Sequence, residues 1–153
     1  ALTHLWLFDF EAARTALDQQ QAHNFDPQAQ WYLAALTAPH DLTGAVEQLQ
    51  AIATEADETG VSAEIAAQRD YLLAALAQFS PASPQADVAK ATGLALAQVE
   101  QWSLAAYALT LAKEQSQRVD AETLAFLAYA LARGADLIIS INREEFVFAF
   151  KKL

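Results

Sequence analysis

Apolar residues recur at helical spacing along most of this chain. Over 9–22 (DFEAARTALDQQQA) Phe10, Ala13 and Leu17 form one stripe, and Asp9 suits the N-cap or first turn. A second helix is predicted over 27–38 (PQAQWYLAALTA), with Pro27 in its first turn and Pro39 as its stop. A third is predicted over 42–58, where Leu42, Ala45, Leu49 and Ile52 share a face and Gly60 ends the run. Over 61–79 the inward positions are Ile65, Leu72, Leu76 and Phe79, and SPASP at 80–84 then reads as a linker. Further helices are predicted at 84–98, 101–117 and 121–133, the last closed by Arg133 in its final turn and Gly134 just beyond.

The end reads two ways. In LIISINREEFVFAF (137–150) an apolar β-branched run, a polar loop and alternating Phe residues suit a β-hairpin. Equally, Asn142 can cap a last helix, with Glu145 completing a capping box.

Composition agrees with helix. There are 36 Ala, 21 Leu and 14 Gln but only 11 Val plus Ile, so the residues that favour helices far outnumber those that favour strands. An all-α fold in one domain is expected at 153 residues. With no Cys, disulfides, thiolate metal sites and Cys nucleophiles are excluded. No run is apolar enough for a membrane span, and no signal peptide is expected, since no basic stretch followed by an apolar one opens the sequence. A cytoplasmic setting is favoured over a periplasmic one. The chain opens at Ala1 and holds no Met, and the expectation is a piece of a larger protein.

Charge is lopsided. The formal net charge is −10, and residues 1–88 account for all of it, with Arg14 and Arg69 their only bases. Residues 89–153 are balanced. A surface of this sign repels phosphate, so nucleic acid is an unfavoured partner.

The segments DFEAARTAL (9–17), DLTGAVEQL (41–49) and QWSLAAYAL (101–109) align with one another. Asp9, Asp41 and Gln101 lead; Ala13, Ala45 and Ala105 coincide, as do Leu17, Leu49 and Leu109. With an amphipathic helix ahead of Asp41, this is helix–turn–helix repetition at a period of ~34 residues. The pattern resembles the tetratricopeptide-repeat (TPR) family. Its clearest unit is 86–119, with Gly93, Leu96, Trp102, Ala105, Leu109 and Ala112 at the small and large packing positions. Residues 26–59 form another unit and 121–153 a third, the latter carrying Ala128, Leu131 and Gly134. Residues 1–25 would be a partial unit; 60–85 are too short for a full one, and Gln117 stands where the family often has Pro.

The resemblance implies helical hairpins stacked as a right-handed α-solenoid with a concave groove. It also implies which residues would face that groove. They are Gln30, Ala34 and Thr37 in the first full unit, Lys90, Leu94 and Gln98 in the second, and Glu122, Tyr129 and Arg133 in the third. Lys90 and Arg133 would favour a carboxylate or an acidic peptide. Ala91 stands where chaperone-binding members place the Asn of their carboxylate clamp, so chaperone C-termini are not the expected ligand.

Catalysis has no legible signature. His4, His23 and His40 share no helical spacing, and Ser80 and Ser83 have no neighbouring His in sequence. Asp57–Glu58 and Glu144–Glu145 diverge by about 100° on a helix. No enzyme, cofactor or metal site is therefore expected. The expected function is a protein or peptide interaction module, with a signal-sensing regulatory arm of a larger protein as the alternative. A weaker candidate is a DNA-binding helix-turn-helix at 84–102, built on Ala89, Gly93 and Val99, although its second helix lacks Arg and Lys. Phe146, Phe148 and Phe150 suggest contact with another segment or subunit.

Overall fold

The computed structural model describes residues 9–52 and 62–134. It is all-helical, with no strand among the described residues. Six helices are α1 (Phe10–His23), α2 (Pro27–Thr37), α3 (Leu42–Gln50), α4 (Ala63–Leu76), α5 (Gln85–Gln98) and α6 (Trp102–Gln115). Residues 121–134 form a seventh, α7. Residues 137–150, read as hairpin or helix, lie outside the described residues.

Side-chain caps start most of these helices. Carboxylates of Asp9, Asp26 and Asp41 accept the first-turn amides of Ala12, Gln28 and Gly44, and the Ser62 hydroxyl accepts that of Ile65. Asp120 does the same for Thr123 at 2.7 Å, opening α7. Gln21 fastens the α1–α2 turn by donating to the Asp26 carbonyl at 2.8 Å and accepting the Asp26 amide at 3.0 Å.

The third helix ends earlier than its periodicity suggests, at Gln50, with Ala51 as its C-cap. Ile52 is buried as expected, but its carbonyl accepts a 2.9 Å hydrogen bond from the guanidinium of Arg69. That guanidinium is itself buried and also pairs with Asp70 at 2.7 Å. A base counted among the surface charges of the acidic half is thus an internal strut between α3 and α4.

Helix α2 is the hub. It is buried on all sides, from Ala29 and Trp31 to Leu36, and packs against α1, α3, α4 and α6. A helix apolar all round belongs in the middle of a bundle. Phe10 and His40 also reach Tyr107 of α6. Residues of α1 and of the α2–α3 turn therefore touch α6 directly, while α4 packs beside α2, α3 and α5.

The most extensive helix pair is α5 with α6, and Gly93 sits at a close contact between them. A Cβ there would lie 2.5 Å from Leu109 Cγ. Only a residue without Cβ lets the two axes approach this closely. Gly93 sits mid-helix, and the turn comes later. Glu100 takes φ 60°, the Gln101 amide donates to the Leu96 carbonyl, and the Glu100 amide donates to that of Ala97. A helix-turn-helix at 84–102 needs its break at Gly93. The uninterrupted helix Gln85–Gln98 removes that reading.

Candidate functional site

The residues expected to face a groove fall in three different surroundings. Gln30 and Thr37 are buried in α2. Gln30 donates to the Gln48 carbonyl at 3.2 Å, and the Thr37 hydroxyl to the Leu33 carbonyl at 2.8 Å. Both, with the fully buried Ala34, are corrected to interior positions, because α1, α3, α4 and α6 enclose α2. On α5, Leu94 is half-buried against the core and Gln98 is exposed at the helix end. On α7, Tyr129 and Arg133 are exposed. One helical turn apart, they meet the first residue of α6. Tyr129 packs edge-on to Trp102 at 5.1 Å, and the Arg133 guanidinium lies 5.8 Å from that ring's centroid.

Lys90 is not a free cation. Its ammonium donates to Asp120 at 2.7 Å and lies 2.8 Å from Glu122. One positive charge faces two negative ones, so the expected capture of an acidic or carboxylate-bearing partner at Lys90 loses its basis. The cluster instead ties the start of α7 to α5. The hydrogen bond from Lys90, followed by those from Thr123, holds the Asp120 carboxyl well below the usual carboxylate range. The contacts with Asp120 and then Glu122 raise the Lys90 ammonium.

A depressed carboxyl stabilises the fold above its unfolded pKa of about 3.9, and that contribution is lost as pH falls towards the folded value. Asp120→Asn is therefore expected to melt below wild type at neutral pH. The gap should narrow as pH drops from about 5 to about 2. The effect is modest, because the pair is exposed to water. Melting curves of both proteins across that range check it, and a constant gap would contradict the assignment.

A different surface is better shaped for binding. An open cleft of about 350 Å³ lies along α6 between α1 and α7. Its floor is Ala106, Tyr107, Thr110, Leu111 and Glu114, and its walls are Phe10 and Leu131. Phe10 stacks on Tyr107 at 4.5 Å, and the Tyr107 hydroxyl is hydrogen-bonded to His40 Nε2 at 2.5 Å. This contact ties the α2–α3 turn to the cleft. Burial and then the Glu11 carboxylate push the Tyr107 hydroxyl up, against a lowering by Arg14.

Comparison with family models, with curated proteins and with solved structures finds no match. The surface must be read from its own residues.

Leu131 is 44% exposed and Leu124 46%, and with the exposed Ala128 they make an i, i+4, i+7 stripe on α7. Ala128 and Leu131 had been expected at the packing positions of a repeat. Their exposure corrects that placement, since no following helix covers them among the described residues. Periodicity marked the stripe but could not show that it is bare.

A smaller space of about 120 Å³ sits between the α2–α3 turn and the 80–85 linker. It brings His40 and Asp41 beside Ser80 and Ser83, a proximity the sequence could not reveal. No nucleophile and base are paired there. The Asp41 carboxylate caps Gly44, His40 Nε2 meets Tyr107, and Ser83 Oγ accepts the Ser80 amide. Among the described residues no group of three His, Cys, Asp or Glu could hold a metal ion. Nor is any helix among them long and apolar enough to cross a membrane.

Proposed function

We propose that this chain is a non-enzymatic interaction module that seats a peptide or a helix of a partner protein in the cleft between α1, α6 and α7. The observation that carries this reading is the cleft itself. A mostly apolar floor two helical turns long opens to solvent beside the exposed Leu124–Ala128–Leu131 stripe. The neighbouring Trp102–Tyr129–Arg133 stack adds the three residue types most enriched at binding hot spots. The TPR-like reading supports the same class of function, with α5 and α6 as its best-formed hairpin and the helix pairs as units of a solenoid. In this proposal the ligand lies on the second helix of that hairpin, because α2 has no open face.

The test is selection of peptides from a displayed library on the wild-type protein. A Leu111→Asp/Leu131→Asp variant, shown by circular dichroism to be equally helical, serves as the comparison. The variant is expected to bind the selected peptides at least about tenfold more weakly. Unchanged binding would remove the cleft from consideration.

A second reading, a sensing arm of a larger regulator, draws on the cleft's volume, which falls in the ~300–1,000 Å³ range of small-molecule sites. It predicts a thermal shift with a small apolar compound that the same double variant abolishes.

A further inference from the structure

The cleft has chemistry specific enough to name the class of its occupant, an inference that rests on the cleft being the docking site. Ala106, Thr110 and Glu114 follow one another at single-turn intervals, so the floor runs about 12 Å along α6. Leu131 and Leu124 lie seven residues apart on the flanking helix. A second helix laid along α6 would meet both rows with its own i, i+4, i+7 residues, the usual register of helix-in-groove recognition.

The one charged residue among those lining the cleft is acidic. Glu114 lines the cleft, and Glu11 acts on the Tyr107 hydroxyl from α1. Neither takes part in an ion pair among the described residues. Arg14 is the one base that acts on the same hydroxyl. Lys90 is held by Asp120 and Glu122, Arg133 lies over Trp102, and Lys113 and Arg118 do not line the cleft. Behind these local charges stands a chain of net charge −10. That field attracts a cationic segment from a distance, and it repels both an acidic peptide and a second copy of this chain.

We infer that the cleft between α1, α6 and α7 binds a cationic amphipathic helix of a partner protein. The apolar face of that helix packs on Phe10, Leu111 and Leu131, and its flanking Lys or Arg residues reach Glu11 and Glu114. The sign of the partner is thus opposite to the one the groove residues Lys90 and Arg133 had suggested.

Three labelled synthetic helices of about 14 residues test this. They share one leucine face and carry Lys, Gln or Glu on their flanks. Fluorescence anisotropy is read with the full chain at about 50 and about 300 mM salt. The Lys peptide is expected to bind at least about tenfold tighter than the Glu peptide, with a smaller margin at high salt. Glu11→Lys/Glu114→Lys should shrink that margin several-fold, leaving only the weaker preference set by the remaining net negative charge.

The control is Leu131→Asp, which makes the protein more acidic while spoiling the cleft. Loss of the Lys peptide supports docking. Retained or tighter binding of that peptide shows bulk attraction only and overturns the cleft reading as well. If the Gln and Glu peptides bind as tightly as the Lys peptide, and Leu131→Asp releases all three, the cationic class is overturned while the cleft survives. Absence of binding by all three overturns the inference.

Discussion

Trp31→Ala is expected to lower the unfolding free energy by about 3–5 kcal/mol. Trp31 is wholly buried in α2, the helix around which the others are gathered, and its ring meets Tyr32 edge-on at 5.6 Å. Truncation removes apolar burial and leaves a cavity that packed neighbours on four helices fill only in part. A domain of this size has about 5–15 kcal/mol to lose, so the variant would be marginal. The indole Nε1 has no hydrogen-bond partner among the described residues. A buried donor left unpaired costs about 1–3 kcal/mol, so Trp31→Phe should cost clearly less than the lost volume alone would suggest. Urea titration of the three proteins checks both statements. Midpoints for Trp31→Phe and Trp31→Ala that coincide would show that ring volume does not matter there.

Gly93→Ala is the second large effect, with an expected net loss of up to about 2 kcal/mol. Alanine is the better helix former by about 1 kcal/mol, so an uncrowded site would gain stability. Here the new Cβ would lie 2.5 Å from Leu109 Cγ and 3.2 Å from the Leu109 backbone nitrogen. Leucine can move in part, but the backbone yields only if α5 and α6 separate, and overpacking of this kind costs about 1–3 kcal/mol. The double variant with Leu109→Ala makes the mechanism measurable. Removing the leucine clears the closest clash, so the two substitutions should couple by about 1–2 kcal/mol rather than add. Additive losses would mean that Gly93 is not the crossing point.

Helix positions were legible in the sequence because they depend on near neighbours. Asp9 and Pro27 open helices where the local pattern placed them, and Gly93 stands at a small packing position of the 86–119 pattern. Ile65, Leu72 and Leu76 are buried as their spacing implied. Even the central place of α2 had a signal: after Gln30, PQAQWYLAALTA is almost wholly apolar, a pattern poorly suited to a helix with one wet face. The groove assignment carried over from the repeat family did not use it.

What helical periodicity by itself determined is which residues of each helix share a face, since that follows from the fixed turn of the backbone. Which neighbour covers the face was decided only by the tertiary structure. Arg69 is internal because the Ile52 carbonyl, just past the end of α3, accepts from its guanidinium. Gln30 and Thr37 are inside because the helices around α2 close over them, and Lys90 is occupied because α7 begins with two carboxylates beside it. Leu131 is exposed because no following helix covers it among the described residues. Each outcome depends on contacts between residues far apart in the chain, and neither local propensity nor repeat register specifies such contacts.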